Sequence, residues 1–317
     1  MEKIDVVVPY VDSMDPEWQK LFNEYNPKKE LDEQTNGAER FRGQGSFFKY
    51  WFRCIAKNLP WVNNVFLLVQ SDSQVPDWID RSKVKVVLHK EFIPEEYLPT
   101  FNSTCIEMFL WNIKELCEQF IYFNDDVFIT KPIDQELFFK DNKVRTNTKM
   151  TFDLNNMYGH HRVNTYSLIY GSNKEEIMKM GQVISVSHLA RPYLKSEMIN
   201  CFNQHKDDIL NSISKFREEK NLNVFLFDHY IIKNNKQLYR EGIIGNTINS
   251  KSSVSTINSI LNSSKTNIVC IQDTAYDIDI YKNPTIVTYF IQNYIKVSKY
   301  ELGYKQQDIA KLNDILL

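Results

Sequence analysis

Residues 47–69, FFKYWFRCIAKNLPWVNNVFLLV, place a helical pattern directly before a strand pattern. The first part carries large apolar side chains at helical spacing, namely Phe47, Phe48, Trp51, Phe52 and Ile55. Ser46 is the expected N-cap of this helix, and Asn58-Leu59-Pro60 is its expected end. The apolar run that follows, residues 65–70, has the length and composition of a buried strand. A helix that leads into a buried strand is typical of α/β folds.

The same two patterns recur along the first half of the chain. Strand-length runs of β-branched and aromatic residues lie at residues 4–11, 84–89 and 120–129. A second helix is expected over residues 103–117, where apolar side chains recur on one face. This alternation predicts an α/β fold with a Rossmann-like sheet and flanking helices.

The pattern changes at about residue 141. Residues 1–140 are predicted to form the α/β core, and residues 268–317, which begin with a strand, are predicted to return to it. Residues 141–267 are predicted to form a second, mostly helical lobe, with candidate helices at residues 175–180, 193–202 and 207–219. Within this lobe, residues 246–267 are rich in Ser, Asn and Thr, which predicts a mobile loop, with a plain linker as the alternative.

Composition and charge narrow the classes of function. The 317 residues are 43% apolar and carry a net charge of -2, so the chain can bury a large core and has no overall basic field for nucleic acid. Five cysteines without a CxxC pair indicate reduced thiols. The first residues lack the features of a signal peptide, and no apolar run approaches the roughly 20 residues of a membrane helix. A cytoplasmic protein is expected, with peripheral contact at the inner face of the cell membrane left open.

The segment FIYFNDDVFI, residues 120–129, has polar residues inside an otherwise apolar strand pattern, and these are Asn124, Asp125 and Asp126. Two adjacent carboxylates in a buried strand are costly unless a cation or hydrogen-bond donors compensate for them. In a regular strand, Asn124 and Asp126 share one face and Asp125 lies on the other. A divalent metal is the expected compensating charge, and a solvated turn between two short strands is the alternative.

The segment RFRGQGS, residues 40–46, is a candidate phosphate site. Gly43 and Gly45 allow a concave backbone with exposed N–H groups, and the helix that follows adds positive partial charge. Arg40 and Arg42 can each bind phosphate oxygens through two hydrogen bonds. Without these arginines and the helix, the two glycines indicate only an ordinary loop.

Other candidates are weaker when taken singly. Asp12 follows the first strand, at the edge where sheets of this kind expose their ligand sites. His188 in VSHLARP and Arg217 in KFREE are uninformative alone, since a single histidine or a helical arginine is more often structural. Five further histidines are equally available by chemistry, and these are His89, His160, His161, His205 and His229.

Together, these segments resemble the Stealth family of hexose-1-phosphate transferases, which includes bacterial capsular polysaccharide phosphotransferases and the catalytic part of GlcNAc-1-phosphotransferase. The strongest part runs from RFRGQGSFFKYWFRCIAKNLPWVNNVFLLV through VPDWI, HKEFIP and LPTFNSTCIE to FIYFNDDVFI, in family order. The first family region resembles residues 4–16, the third resembles residues 188–217, and the fourth resembles VCIQD at residues 269–273. The chain departs at Val8-Pro9-Tyr10, where the family usually has Tyr-Thr-Trp, and at Gln272, where Asn is usual.

The resemblance covers most of the chain and implies a GT-A-like sheet, a function and a set of site residues. The chain is expected to transfer a hexose 1-phosphate from a nucleotide sugar, expected to be UDP-linked, to a hydroxyl of a polysaccharide or a lipid-linked oligosaccharide. The implied catalytic residues are His188, Asp125, Asp126 and Arg217. The implied substrate-binding residues are Arg40, Arg42, Gly43, Gly45, Asn102 and Asn124. The implied ligands of Mg²⁺ or Mn²⁺ are Asp126, Asp12 and Asp273.

In the expected mechanism, the acceptor hydroxyl attacks the sugar-side phosphorus and a nucleoside monophosphate leaves. His188 is the expected general base, and one aspartate of the pair is its competitor. The side chains expected to hold the diphosphate are those of Arg40, Arg42 and Arg217. Two alternatives stay open: a metal-dependent glycosyltransferase that releases a nucleoside diphosphate, and a non-catalytic glycan-binding assembly subunit.

Overall fold

The computed structural model describes residues 2–26, 36–37, 41, 44–146, 148–239, 244–272 and 280–303. The strands are, in chain order, β1 (Ile4–Pro9), β2 (Val65–Val69), β3 (Val84–Leu88), β4 (Gln119–Tyr122), β5 (Val127–Ile129), β6 (Phe139–Lys140), β7 (Lys143–Thr146), β8 (Thr148–Thr151), β9 (Val183–Val186), β10 (Arg191–Leu194), β11 (Gln237–Tyr239), β12 (Ile244–Asn249) and β13 (Thr266–Gln272). The α-helices are α1 (Pro16–Tyr25), α2 (Phe48–Asn58), α3 (Ser103–Met108), α4 (Met157–Tyr170), α5 (Lys174–Met180), α6 (Lys195–Gln204), α7 (Lys206–Ser212), α8 (Phe225–Lys233), α9 (Val254–Asn262) and α10 (Pro284–Tyr294).

A five-stranded mixed sheet lies at the centre of the structure, in the strand order β10-β4-β1-β2-β3. Strands β4, β1, β2 and β3 run parallel, and β10 runs antiparallel to β4 at one edge. The residues of β1 and β2 are almost all buried, which explains their unbroken apolar sequences. Helix α2 buries Phe48, Trp51 and Phe52 in the same core. The predicted α/β fold, a sheet flanked by helices, is confirmed.

The segment at residues 120–129 is two strands joined by a turn. The Val127 N–H donates to the Asn124 carbonyl at 3.1 Å and closes a turn that carries Asp125 and Asp126. Strand β5 then leaves the central sheet and pairs with β13 in a second sheet, β12-β13-β5. The prediction of one continuous strand is wrong, because two successive aspartates favour a turn over a pleated ladder. The turn, which we call the acidic turn (residues 124–127), lies at the carboxyl end of β4.

Residues 246–267 form regular secondary structure where the sequence predicted a mobile loop. They comprise most of β12, the whole of α9 and the beginning of β13. Ser253 caps α9 by accepting a hydrogen bond from the Thr256 N–H at 3.1 Å, and Ile257 and Leu261 are buried. The prediction failed because Ser and Asn dominate the composition, whereas the few apolar residues have the i, i+4 spacing of a helix.

Residues 207–219 are also different from the single helix that the sequence predicted. Helix α7 ends at Ser212, whose carbonyl accepts a hydrogen bond from the Asn221 side chain at 2.5 Å. The chain then continues as a loop, residues 213–224, which we call the Arg217 loop. Arg217 therefore lies in a loop anchored by side-chain hydrogen bonds and not on a charged helical face.

Two smaller differences concern helix ends. The helix predicted over residues 103–117 stops at Met108 and is followed by a 3₁₀ turn at Leu110–Asn112. Ser46 lies inside a short 3₁₀ helix, Gly45–Phe47, and forms no N-cap hydrogen bond to α2. Both changes shorten a predicted helix by local 3₁₀ geometry, which is common at helix ends.

One large apolar cluster joins the two parts into which the sequence divides the chain. It contains Val7 and Phe120 from the central sheet together with Phe202 and Leu226 from the predicted second lobe. The second part has strands β7 to β12 as well as helices. The division of the chain near residue 140 stays a prediction. None of the helices in the described ranges is long and apolar enough to cross a lipid bilayer.

Candidate active site

A cleft of about 570 Å³ opens at the carboxyl ends of β1 and β4. The acidic turn lines it, together with residues from the start of α3, the Arg217 loop, α4, and the turn between β9 and β10. Ligands of open α/β sheets bind at this edge, outside the carboxyl ends of the strands. The volume lies within the range of roughly 300–1,000 Å³ that small-molecule sites occupy.

The acidic turn is half-buried in the cleft, and the charge of Asp126 acts on the neighbouring Asp125 carboxyl. Burial, and next the charge of Asp126, raise the pKa of the Asp125 carboxyl from its usual 3.8 to about 7. The side-chain amide of Gln44 donates to the Asp125 carbonyl at 2.6 Å and ties the end of the Arg- and Gly-rich segment to the turn. A positive charge in the cleft would relieve the repulsion between the two carboxylates.

Asp126, His188 and Cys270 place one potential ligand atom each within 4.8 Å of one another. The Oδ1 atom of Asp126 lies 3.6 Å from His188 Nε2, and the Cys270 thiol donates to Asp126 Oδ2 at 3.4 Å. The fold explains this grouping, because Cys270 on β13 pairs with Val127, the residue after Asp126. Burial, followed by the charge of Asp126, raises the pKa of the Cys270 thiol well above its usual value.

This group fits a divalent cation. Asp126 Oδ1 is buried, and within the described part of the chain no donor reaches it with a hydrogen bond. A buried carboxylate oxygen without a donor is costly unless a positive charge balances it. Carboxylate oxygen and imidazole nitrogen are both common ligands of divalent metals. His188 cannot bind a metal and accept a proton through the same nitrogen, so the group supports either role for that residue but not both together.

Arg217 reaches the cleft because both its backbone and its side chain are held by hydrogen bonds. Its backbone N–H donates to Asn36 Oδ1 at 2.8 Å, and its guanidinium donates to Ser103 Oγ at 3.2 Å. The guanidinium carbon lies 5.5 Å from the Phe41 ring centroid. The next residue of the loop, Glu218, places its carbonyl 2.8 Å from His161 Nε2. These contacts hold a planar cation at the side of the cleft.

Asn102, a predicted substrate-binding residue, is 1% exposed and holds the Arg217 loop. Its amide nitrogen lies 3.1 Å from the Ser214 carbonyl, 3.2 Å from the Phe216 carbonyl and 3.0 Å from Asn221 Oδ1. Its amide oxygen accepts from the Thr104 N–H and hydroxyl and so caps α3. The side chain lines the cleft, but its hydrogen bonds are made to protein atoms, which points to a positioning role.

We expect Asn102→Ala to lower the free energy of unfolding by roughly 2–4 kcal/mol, because a helix cap and several buried partners are lost together. Asn173→Ala is the matched control, since exposed Asn173 also caps a helix but only accepts from Glu175 and Glu176. That variant should lose about 1 kcal/mol. Urea unfolding curves measure both values. Equal losses in the two variants would mean that the Arg217 loop does not depend on Asn102.

The structure brings together several of the predicted site residues but not all of them. The cleft is lined by Asn102, Asn124, Asp125, Asp126, His188 and Arg217. Gly45 begins the 3₁₀ helix before α2 with φ of +53°, a left-handed conformation that favours glycine. Asp12 accepts from the Met14 N–H at 2.9 Å and is not a member of the Asp126 group. The predictions for Arg40, Arg42, Gly43 and Asp273 fall outside the described residues.

Sequence reasoning missed other polar residues of the cleft. Among them are Gln44, Glu107, Arg162, Arg191 and Cys270. Glu107 is 6% exposed and accepts from the Val224 N–H at 3.0 Å, and burial raises the pKa of its carboxyl. A charged residue within an apolar helical stripe was the available signal for Glu107. Cys270 had no signal, because a lone cysteine in a strand has the pattern of a core residue.

Comparison with known proteins gives the family. The chain is 32% identical to the receptor polysaccharide phosphotransferase WefC of Streptococcus oralis, over 92% of this chain and 96% of the relative. The chain belongs to the Stealth family. The model of Stealth protein CR2, conserved region 2, matches residues 40–147. The capsular polysaccharide phosphotransferase WcwK of Streptococcus pneumoniae is 32% identical over 86% of this chain and 91% of that protein.

Membership of the Stealth family confirms two predictions from the sequence. The family resemblance is correct, and so is the prediction of a phosphotransferase enzyme. Among solved structures, the galactosyltransferase LgtC aligns over 97% of this Stealth chain and 99% of its own, with 8% identity and a TM-score of 0.43. A similarity this low supports no statement about donor or acceptor.

Proposed function

We propose that this Stealth enzyme transfers a hexose 1-phosphate from a nucleotide sugar to a hydroxyl of a capsular or cell-surface polysaccharide. The observation that carries the proposal is the contact between His188 Nε2 and Asp126 Oδ1, 3.6 Å apart, in a cleft that also contains arginines. Phosphoryl-type transfer needs a base that accepts the proton of the attacking hydroxyl and cations that stabilise the charge on the phosphate oxygens. The relatives WefC and WcwK are polysaccharide phosphotransferases.

In the proposed reaction, His188 accepts the proton of the acceptor hydroxyl as its oxygen bonds to the sugar-side phosphorus. The bond between that phosphorus and the bridging oxygen breaks, and the nucleoside monophosphate leaves with the bond electrons. Asp126 faces the imidazole and stabilises the imidazolium that forms. The His188 side chain is 41% exposed, which leaves it accessible to an acceptor that enters from solvent.

The metal of the proposal is Mg²⁺ or Mn²⁺, held by Asp126 with Asp125 beside it. When bound, such an ion supplies positive charge for the phosphate oxygens and for the paired carboxylates. Asp273 stays in the proposal on sequence grounds. Asp12 is a weaker candidate than the sequence indicated, because its carboxylate accepts from the backbone of its own turn.

Phosphate binding is assigned to Arg217, which lies in the cleft, and on sequence grounds to Arg40 and Arg42. A planar guanidinium binds two phosphate oxygens at once, and the contacts of Arg217 with Ser103 and Phe41 orient that plane. Cys54, Cys105, Cys117, Cys201 and Cys270 are all free thiols, which supports a reducing compartment such as the cytoplasm for the reaction.

The test is the identity of the nucleotide that leaves. Incubation with a panel of nucleotide sugars, an acceptor glycan and Mn²⁺ should release a nucleoside monophosphate, seen by chromatography. Phosphorus NMR should show a new phosphodiester in the glycan. A nucleoside diphosphate with a plain glycosidic bond would instead identify a metal-dependent glycosyltransferase and reject the proposed chemistry.

A further inference from the structure

Two arginines outside the predicted site, Arg162 and Arg191, lie in the cleft beside the ring of Phe225. The guanidinium carbon of Arg191 is 4.7 Å from the ring centroid, and that of Arg162 is 5.5 Å from it. One comes from α4 and the other from β10, so the fold brings them together. Contact with an aromatic face stabilises a guanidinium and leaves its N–H groups available at its edge.

Neither arginine has a full set of partners among the described residues. Arg191 is 2% exposed, and its Nε and Nη2 atoms are buried with no hydrogen-bond acceptor. The nearest carboxylate, Asp228, is 3.8 Å from Nε, which allows attraction but not a hydrogen bond. Arg162 Nε is also buried without an acceptor. Buried cationic donors of this kind are stabilised by an anion that supplies the missing acceptors.

The acids around the pair do not supply those acceptors. Glu107 accepts from the Tyr122 hydroxyl and the Val224 N–H, and burial raises the pKa of its carboxyl. Asp228 accepts from the Tyr193 hydroxyl at 3.1 Å. Burial, followed by the charge of Arg191, lowers the pKa of Arg162, and the weaker influence of exposed Asp153 opposes that shift. Asp228 and Glu107 balance part of the charge of Arg191, so what the pair offers to an anion is a set of buried N–H groups without acceptors.

We propose that Arg162 and Arg191 form an anion subsite that binds a phosphate group of the donor diphosphate. The position of the pair supports this, because Arg162, Arg191 and Arg217 all line the cleft and the charges of Arg162 and Arg217 both reach His161. A diphosphate offers several oxygens to guanidinium groups that line one cleft. The assignment to the donor rests on the proposed function, since a phosphodiester of the acceptor polysaccharide has the same chemistry.

The test uses phosphate binding without turnover. Isothermal titration calorimetry on metal-free protein should show that Arg162→Gln weakens binding of inorganic pyrophosphate by roughly ten- to a hundredfold, the effect of losing a charge-assisted hydrogen bond. Arg81→Gln is the matched control: it removes the same charge from an exposed residue that pairs with Asp72 outside the cleft. That variant should change the dissociation constant by less than about twofold.

A second substitution and a second probe make the result decisive. Arg162→Lys should remain weakened, because lysine keeps the charge but not the planar pair of N–H groups. Thermal melting checks that each variant is folded.

Equal pyrophosphate affinity in Arg162→Gln and Arg81→Gln would overturn the subsite. Weakened binding of dimethyl phosphate with unchanged binding of pyrophosphate would overturn the assignment to the donor. If the subsite holds but a nucleoside diphosphate is released, the proposed reaction fails and the subsite stands.

Discussion

Replacing His188 by alanine is expected to slow release of the nucleoside monophosphate by about 10²- to 10⁴-fold, the usual effect of losing a positioned general base. The imidazole Nε2 lies 3.6 Å from Asp126 Oδ1, and the methyl group of alanine cannot accept a proton in its place. Donor binding should survive, because the proposed mechanism assigns the phosphates to arginines. Initial rates and calorimetric donor affinity, measured on the same preparation, separate the two effects.

His160→Ala is the control for this substitution. His160 is on α4, its side chain is 31% exposed, and its ring faces Glu219 at 3.3 Å instead of the cleft. The control should keep wild-type rates. A rate of the His188 variant within tenfold of wild type would transfer the role of base to an aspartate of the acidic turn.

Asp126→Asn is expected to lower metal-dependent turnover by on the order of 10³-fold or more, because the charge that faces His188 and would face the proposed metal is removed. The melting temperature should stay the same or rise. Asparagine relieves the repulsion that helps to raise the pKa of Asp125 to about 7, so one source of native-state strain disappears. Turnover at several Mn²⁺ concentrations and thermal melting in the absence of metal measure the two effects.

Two neighbouring substitutions show whether the loss is specific. Asp12→Asn should leave Mn²⁺ affinity nearly unchanged, because the Asp12 carboxylate accepts from the Met14 N–H and an asparagine oxygen can do the same. Cys270→Ser keeps a donor to Asp126 Oδ2 and should keep activity if the thiol is only that donor. Near wild-type turnover and Mn²⁺ affinity in Asp126→Asn would remove this carboxylate from the mechanism.

Asp125 and Asp126 were predicted because they break a local pattern, whereas His188 and Arg217 were predicted only through the family resemblance. Asp125 and Asp126 interrupt an apolar run, and the structure places them in the cleft, although on a turn and not within a strand. The turn was only the alternative interpretation because apolar residues on both sides gave one strand-length pattern, and only pairing of β5 with β13 shows where the strand divides. Pairing between distant segments is not visible in local periodicity.

Functional roles that depend on contacts between distant segments of the chain could not be predicted from local sequence patterns. Arg162 and Arg191 are separated by the end of α4, helix α5, strand β9 and the turns between them, and they meet because α4 packs on α8, whose first residue is Phe225. The role of Asn102 likewise depends on a loop more than 100 residues away in sequence. The alternation of strands and helices was readable because it repeats within short windows.

We expect a change of sugar specificity in this enzyme to come from exposed residues at the rim of the cleft. The side formed by the start of α3 and the Arg217 loop is a poor place for such a change. The single amide of Asn102 joins the start of α3 to the Arg217 loop, so a substitution that shifts one of them also moves the other. Lys149, Asp153 and Tyr158 line the same cleft but are exposed. We therefore expect variation in donor range among related enzymes, and success in engineering it, to concentrate at these three positions.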